Sequence, residues 1–475
     1  MTRSSSGRCR SRQDEESDSN YRRDTAGELD EPIREQHPMD EFLSTQGLKC
    51  NALNDGSNPF VEGGLPDPQS DDPYNLFFIP PVKDSKKRML RCHSCRDLGT
   101  KLILPDIILN LQNEEYEVKL DDSKDQGSDL TLPLPEPKWG SEPDHLEFSS
   151  LVTFEFFLEE LRDILASELE SHPYNTVGSF LAFYDAFLKQ GLSLTEFYCN
   201  YDPKILPESL SCVGLGCSLI ENMKSVMSNC YPGLKSSLFL ASCEEMVSEI
   251  DTYISCSPPS QSLSVKEHVL VVLKVLVEGR EGYIVLDPGY HVNIPVIVMS
   301  DGLFPNTGWF LLSDTEKSKK EYNYTVDGSY IQWHVKETRN GKVNSWTNLV
   351  YIGRRFLSYV DVSEKRNLVF NFRTIVKRDR KQPVAGLYCN LEGDERFTFF
   401  YYDESYKRVE VKIPFDYFQG KRENNKFESA ISSCVAQIGF NETLVSQMVE
   451  GIIDAYFNPN FMPFVRMLNA EIDEE

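Results

Sequence analysis

The composition of the chain and the spacing of its apolar residues change near residue 145, and this change constrains the fold more than any other feature. Residues 1–87 are rich in Ser, Asp, Glu, Pro and Arg and lack the regular spacing of apolar residues typical of a buried helix or strand. Such a segment cannot bury enough apolar surface to offset its conformational entropy. We therefore predict a disordered acidic extension at 1–87. A short apolar island followed by a Pro-rich acidic linker is predicted at 88–145, and a folded region from 146 onward.

Apolar residues of the folded region first recur every three or four positions and then occur in short runs. Helices are predicted at Ser149 to Ser171, Val177 to Lys189, Cys217 to Ser228 and Leu444 to Tyr456. Strands are predicted at Glu267 to Val277, Tyr283 to Leu286, Ile294 to Met299, Tyr330 to Glu337, Leu349 to Tyr351, Val369 to Val376, Phe397 to Tyr402 and Arg408 to Ile413. This order predicts an α+β fold with a helical part at 146–260, a central antiparallel β-barrel or meander at 261–415 and a C-terminal helical part at 416–475.

Charge and composition exclude several classes of function. The chain has 475 residues with 49 Lys and Arg against 74 Asp and Glu, a net charge of −25, which argues against nucleic-acid binding and against docking on anionic membranes. The longest apolar run, Val269 to Val277, is about half of what a transmembrane helix needs and contains Lys274. No secretory signal is visible, so the 12 cysteines are expected to be reduced thiols and the protein to be cytoplasmic.

The segment around Cys217 carries the first chemical signal. Gly214 and Gly216 precede this cysteine, which favours a tight turn, and the residues after it are compatible with a helix. A thiol at a helix N-terminus faces unsatisfied backbone N–H groups and the positive end of the helix dipole, which favours the thiolate. Cys217 is therefore the candidate nucleophile, and Cys212, five residues earlier, is interpreted as structural.

A general base for this thiol is predicted in the following hairpin. His268 opens an apolar strand, and Asp287 follows the strand that ends at Leu286. The first residue of one hairpin strand lies near the last residue of its partner, so His268 and Asp287 are expected to be neighbours. A carboxylate there fixes the tautomer of the imidazole and supports the imidazolium. His291 competes for the imidazole role and ranks below His268 because it lies after the turn.

The order Cys, His at a strand start, and Asp before a glycine turn resembles the arylamine N-acetyltransferases. Their nucleophile motif is Arg-Gly-Gly-x-Cys, which Val213 to Cys217 occupies here, and their His-Asp motif is occupied by His268 to Tyr290. Asn367 to Thr374 and the final helix are similar to the closing part of the family. The resemblance covers roughly residues 150 to 465. The chain departs from the pattern at Val213, where the family has Arg, and at Leu215, where it has Gly.

The resemblance implies a cysteine-protease-like Cys-His-Asp layout with a C-terminal α/β lid. It also implies ping-pong transfer of an acetyl group from acetyl-CoA, through a thioester on Cys217, to an arylamine-type small molecule. His268 then exchanges the proton and Asp287 holds His268, while backbone N–H groups stabilise the oxyanion. The acidic extension is a candidate binding site for a protein partner. No residues are assigned to coenzyme A contacts.

Simpler interpretations stay open at this point. Cysteine is often a small core residue, a histidine among apolar residues is often structural, and Asp before Pro-Gly is an ordinary turn residue. The departures at Val213 and Leu215 suit a catalytically inactive binding protein of the same fold. The Cys-His-Asp order alone also suits a transglutaminase-like thiol enzyme. Cys92 and Cys95 have the spacing of half a zinc site, but no second Cys-x-x-Cys completes it, and no metal is expected.

Overall fold

The structure is a computed structural model that describes residues 133–259, 268–314, 318–393, 395–420 and 425–473. The predicted extension at 1–87, and the island and linker apart from 133–145, lie outside the described residues. Within them the fold is mixed α+β, with helices packed around a curled antiparallel sheet that forms a half-barrel. The predicted α+β class is confirmed at this level.

The described residues form eleven α-helices and one short π-helix. The α-helices are α1 (Leu151–Ser171), α2 (Val177–Leu188), α3 (Leu194–Asn200), α4 (Cys212–Met227), α5 (Leu234–Ser237), α6 (Ile250–Ile254), α7 (Lys365–Val369), α8 (Phe415–Phe418), α9 (Asn425–Ile438), α10 (Glu442–Phe457) and α11 (Met462–Asp473). The π-helix, Tyr359–Glu364, runs directly into α7. The predicted helices at α1, α2 and α10 are confirmed to within a few residues.

The described residues also form fourteen strands in two sheets. They are β1 (Leu146–Phe148), β2 (Tyr174–Asn175), β3 (Leu238–Glu244), β4 (His268–Val277), β5 (Arg280–Leu286), β6 (Val296–Met299), β7 (Phe310–Asp314), β8 (Ser318–Asp327), β9 (Tyr330–Arg339), β10 (Lys342–Tyr351), β11 (Phe372–Arg378), β12 (Pro383–Asn390), β13 (Arg396–Tyr402) and β14 (Arg408–Pro414). All eight predicted strands have a counterpart. The strand predicted from Val369 starts at Phe372, because the preceding residues belong to α7.

The large sheet has the strand order β6-β5-β4-β3-β10-β9-β8-β7, and β1 pairs in parallel with the far end of β4. β4 and β5 form a tight hairpin in which Val277 pairs with Arg280. The two turn residues, Glu278 and Gly279, both have positive φ, which matches the right-handed twist of the flanking strands. The sheet ends in two edge strands, β6 and β7, so the predicted barrel is a half-barrel in the described residues.

The small sheet has the order β14-β13-β12-β11-β2, so a strand of the helical part pairs with strands of the C-terminal half. β2 joins it by pairing Asn175 with Ile375. Helix α9 packs against β12 and β13, and α10 packs against α2. These contacts bring the segment after β10 against the helical part, next to the N-terminus of α4.

Helix α4 is the central element of the core, and its start differs from the prediction. It begins at Cys212 rather than after Cys217, because the Ser211 side chain accepts a hydrogen bond from Val213 N at 3.1 Å and caps the helix. The two glycines therefore lie inside the helix instead of forming a turn. They allow close packing: an added Cβ at Gly214 would lie 2.8 Å from Leu210 Cδ2, and one at Gly216 2.8 Å from Leu240 Cδ2.

Candidate active site

The N-terminus of α4 presents Cys212 as the first residue of the helix. The first N–H groups of any helix have no acceptor within the helix, and they give its N-terminus a partial positive charge. Ser211 binds one of these groups, and its carbonyl accepts the first helical bond from Leu215 N at 3.0 Å. The Cys212 side chain is therefore fixed at the positive end of a buried 16-residue helix.

His268 and Asp287 meet at the end of the β4–β5 hairpin, as predicted. His268 Nε2 lies 3.0 Å from Asp287 Oδ2, and the two residues are 3% and 0% exposed. The second carboxylate oxygen accepts a hydrogen bond from Tyr290 N at 2.9 Å, so the loop after β5 folds back on the aspartate. This arrangement fixes the carboxylate and leaves Nδ1 of the imidazole for another partner.

Gly289 shows how closely Cys212 approaches this pair. A Cβ added at Gly289 would lie 2.8 Å from His268 Cε1, 2.9 Å from Cys212 Cβ and 3.2 Å from Asp287 Oδ1. The three side chains therefore surround a position that only a glycine can occupy without displacing them. The Cys212 thiol is also close enough to the imidazole to raise the pKa of His268.

The electrostatics of His268 favour its protonated form. Burial lowers the pKa of His268, but the hydrogen-bonded Asp287 carboxylate and the neighbouring Cys212 thiol raise it by more, so the resulting pKa is well above the ordinary value. Aromatic rings enclose the imidazole: Tyr290 stands edge-on at 4.8 Å and Trp333 lies at 6.4 Å between ring centroids. A protonated imidazole in contact with a thiol is the condition under which the thiolate forms.

Cys212 and His268 line a narrow cavity of about 40 Å³ that is partly open to solvent. Aromatic side chains form much of its wall, which is typical of sites for small molecules. Glu245 also lines the cavity, and its carboxylate accepts the hydrogen bond of the Tyr290 hydroxyl, which lies 2.6 Å from both carboxylate oxygens. The other side chains of the wall are Tyr174, Thr176, Arg366, Asn367, Phe370, Phe372, Arg373 and Thr374.

The structure brings Cys212, and not the predicted Cys217, to this cavity. Cys217 is 1% exposed, belongs to the apolar core and does not line the cavity. Five residues along a helix correspond to a rotation of about 140° and a rise of about 7 Å, so the two cysteines lie on different faces of α4. The assignment of Cys217 as the nucleophile fails on this geometry, because the helix starts five residues earlier than the glycines suggested.

His291 does not take the place of His268. It is buried, has a φ of 56° and does not line the cavity. Burial, together with the nearby Arg378 guanidinium, lowers the pKa of His291 to about 3, so this ring is neutral. Arg378 donates hydrogen bonds to the carbonyls of Pro288 and His172 and thereby supports the loop that carries Asp287.

Sequence reasoning missed a second set of residues at the cavity. Glu364 accepts a hydrogen bond from Ser211, and Asn367 Nδ2 lies 3.9 Å from Cys212 Sγ. Arg373 donates to the carbonyls of Asn367, Leu368, Phe370 and Phe372 at 2.6 to 3.1 Å. The sequence signal for Asn367 and Arg373 was the similarity of Asn367 to Thr374 to the closing part of the acetyltransferase family, and Glu364 lies before that stretch.

Comparisons of the chain with protein-family models, curated proteins and solved structures found no match. Among the described residues, no cluster of three or more His, Cys, Asp or Glu side chains is arranged to hold a metal ion. In the same part of the chain, no helix combines the length and apolar character needed to cross a bilayer. Cys92 and Cys95 lie outside the described residues.

Proposed function

We propose that this protein is a cysteine-dependent acyltransferase in which Cys212 carries the acyl group. One observation carries the proposal: Cys212, His268 and Asp287 surround Gly289 at the edge of a solvent-connected cavity. A nucleophile, a base that contacts it and a carboxylate that orients the base are the three components of nucleophilic acyl transfer. The arrangement also places the sulfur at a helix N-terminus.

The first half-reaction forms a thioester on the protein. In the starting pair His268 carries the proton of the Cys212 thiol, and the thiolate attacks the carbonyl carbon of an acyl thioester. The new C–S bond forms as the carbonyl electron pair moves to oxygen, and backbone N–H groups at the start of α4 stabilise this oxyanion. When the intermediate collapses, the bond to the donor thiol breaks, and the departing thiolate takes the proton from His268.

The second half-reaction transfers the acyl group to an acceptor. A neutral amine attacks the thioester carbon, and His268 accepts the proton that the amine loses. Collapse of this intermediate expels the Cys212 thiolate and restores the starting pair with His268. Asp287 holds one tautomer of the imidazole throughout, because its carboxylate only accepts the hydrogen bond from Nε2.

The donor and the acceptor follow from the resemblance to the arylamine N-acetyltransferases. We propose acetyl-CoA as the donor and an arylamine-type molecule as the acceptor. The aromatic rings of Tyr174, Tyr290, Phe370 and Phe372 at the cavity support an aromatic acceptor, since flat rings pack well against one another. The Cys-His-Asp order of the resemblance is preserved when Cys212 replaces Cys217, although the glycine motif then no longer precedes the nucleophile.

Acyl labelling tests the proposal directly. The full-length protein is incubated with acetyl-CoA, and the acetylated peptide is identified by mass spectrometry after rapid acid quenching. We expect one acetyl group on the peptide that contains Cys212, and we expect it to leave when an arylamine is added. The Cys212→Ala variant should not be labelled, whereas Cys217→Ala should be labelled like the wild type.

The possible results separate the candidate functions. Labelling that persists in Cys212→Ala but disappears in Cys217→Ala would refute the assignment of the nucleophile. A wild-type protein that is not labelled by acetyl-CoA would refute the acetyltransferase and favour a binding protein. Amide cleavage or cross-linking without any need for coenzyme A would instead support a transglutaminase-like enzyme.

A further inference from the structure

The Cys212 sulfur has a second polar neighbour besides His268, and this neighbour comes from a distant part of the chain. Asn367 Nδ2 lies 3.9 Å from Cys212 Sγ, within the range of an N–H···S contact. Asn367 is half-buried and lines the cavity. Its amide therefore lies beside the sulfur, on the wall of the cavity that a substrate of Cys212 would enter.

The backbone of Asn367 is held by a buried arginine. The Arg373 guanidinium returns to the end of α7 and donates to the carbonyl oxygens of Asn367 at 2.8 Å and of Leu368 at 2.7 Å. The last carbonyls of a helix have no partner within the helix, so this arginine caps α7. Arg373 is 1% exposed and stacks on Phe180 at 4.4 Å. Asn367 is consequently fixed in position before any substrate binds.

Glu364 precedes Asn367 by one turn, and its charge bears on the orientation of the Asn367 amide. The Glu364 carboxylate accepts a hydrogen bond from Ser211, and the neighbouring Ser179 and Asn367 side chains lower its pKa. An ionised carboxylate can only accept, so it must face the amide nitrogen of Asn367 rather than the oxygen. The same nitrogen then directs its second N–H towards the sulfur. Glu364 thereby links the cap of α4 to the donor that approaches Cys212.

We propose that Asn367 is a further catalytic residue, whose side-chain amide donates a hydrogen bond first to the Cys212 thiolate and then to the oxyanion of the thioester intermediate. Glu364 is the positioning residue that keeps the amide nitrogen directed to the sulfur. This inference rests on the proposed acyl transfer at Cys212. It adds to the backbone N–H groups of α4 a side-chain donor, the Asn367 amide, which α7 contributes.

The ionisation of Glu364 gives this network a pH dependence. Burial raises the pKa of Glu364 to about 7, although the hydrogen bond from Ser211, the neighbouring Ser179 and Asn367 side chains and the charge of Arg373 oppose the shift. Above that pH the carboxylate is ionised and holds the amide, and below it a protonated Glu364 no longer dictates the amide orientation. The ionisable groups around Glu364 and Cys212 are Tyr174, Tyr201, Glu245, His268, Arg366 and Arg373.

The first experiment compares Asn367→Ala with wild type in two independent assays. The rate of acetylation of Cys212 by acetyl-CoA should fall about 10²-fold, the typical loss when one oxyanion donor is removed. The pH at which alkylation of Cys212 by iodoacetamide is half-maximal should move upward, because the thiolate loses a donor. Asn371→Ala is the matched control, since Asn371 donates to Glu392 at 3.2 Å and does not line the cavity.

A double-mutant cycle tests the role of Glu364. In Glu364→Gln, the new side-chain amide can donate a hydrogen bond to the side-chain oxygen of Asn367. The Asn367 amide can then flip, which places its oxygen instead of its nitrogen beside the Cys212 sulfur, so the acetylation rate should fall. This loss should largely disappear when Asn367 is already alanine, because the two residues act as one unit. Thermal unfolding of each variant shows whether a loss of rate reflects a loss of fold, and Asn367→Asp provides an isosteric variant for the same comparison.

The outcomes distinguish this inference from the proposed function. Unchanged acetylation and alkylation in folded Asn367→Ala would overturn the role of Asn367 while leaving Cys212 as the nucleophile. Additive losses in the cycle would overturn the coupling to Glu364. If acetyl-CoA does not label the wild type, the proposed function fails, and an upward shift of the alkylation profile in Asn367→Ala would still establish the contact with the thiolate.

Discussion

Cys212 and Cys217 lie on the same buried helix, but their surroundings differ completely. Both are at most 3% exposed, so burial does not distinguish them. Cys212 lies at the positive end of α4, flanks Gly289 together with His268 and borders the cavity. Cys217 lies a turn and a half further on, within the apolar core. The two thiols therefore differ in the groups that they face rather than in how deeply they are buried.

Two buried histidines, His268 and His291, also differ in the groups that they face. Burial lowers the pKa of both, yet the Asp287 carboxylate reverses the effect at His268 and no carboxylate does so at His291. Arg378 beside His291 instead adds to the effect of burial. His268 is thus held in its protonated form and His291 in its neutral form, although His291 belongs to the loop that follows β5 and His268 packs on Tyr290 of the same loop.

The largest expected effect comes from removing the charge that distinguishes His268 from His291. Asp287→Asn replaces the carboxylate by an amide, which can hold the imidazole in the wrong tautomer. The rate of Cys212 acetylation should fall by about 10⁴-fold, as expected when a carboxylate that orients a catalytic histidine is replaced by an amide. Rapid-quench measurement of acetyl-enzyme formation gives this rate. Asp301→Asn is the control, because Asp301 forms an exposed ion pair with Arg280. Equal rates for the two variants would contradict the role of Asp287.

Much of the hairpin that carries His268 and Asp287 was predictable from the sequence. The apolar run after His268 and the glycine turn fix the strands, and the tight hairpin then brings its open ends together. The start of α4 was predicted wrongly because two glycines were interpreted as a turn. Ser211 was the better signal, since a serine before a run of helix-compatible residues is a preferred helix cap. That signal alone places Cys212 at the helix N-terminus.

The contribution of Glu364, Asn367 and Arg373 could not have been predicted in the same way. These residues lie about 150 positions after Cys212, and they reach it only because β11 pairs with β2 of the helical part. The π-helix before α7 also changes the direction in which each side chain points. Local periodicity contains no information on such a long-range pairing, and the resemblance of Asn367 to Thr374 to the acetyltransferases assigned these residues no role at the nucleophile.

The second-largest effect is expected at Gly289, the glycine that the side chains of Cys212, His268 and Asp287 surround. In Gly289→Ala the new methyl group would lie within 3 Å of both His268 Cε1 and Cys212 Cβ, so these side chains must move apart. A displacement of about 1 Å can reduce a rate about 10²-fold, and we expect a loss of acetylation of this size. Gly191→Ala is the control, since nothing lies within 4 Å of its added Cβ. A fully active Gly289→Ala variant would show that the three groups do not act together.

The next prediction concerns His291 and the pH dependence of stability. The unfolded chain takes up a proton near the ordinary pKa of about 6.5, whereas the folded protein holds His291 neutral until about pH 3. The unfolded state binds more protons between these values, so its free energy falls relative to the native state as the pH decreases. His291→Asn tolerates the positive φ and removes this titration. The wild type should therefore lose more stability than the variant between about pH 7 and about pH 4, measured by urea unfolding. Parallel curves would contradict the prediction.

The smallest expected effect tests the helical setting of the glycines that precede Cys217. If Gly214 and Gly216 occupied a turn, alanine would be strained by the backbone, but within α4 alanine gains about 1 kcal/mol of helix propensity. Crowding opposes this gain. A Cβ at Gly214 meets Leu210 Cδ2 at 2.8 Å and Ile205 Cγ2 at 3.1 Å, whereas one at Gly216 has a single contact below 3.4 Å. Overpacking costs about 1–3 kcal/mol, so we expect Gly214→Ala to lower the free energy of unfolding more than Gly216→Ala. The reverse order in urea unfolding would show that the neighbours of Gly214 move aside more easily than Leu240 does.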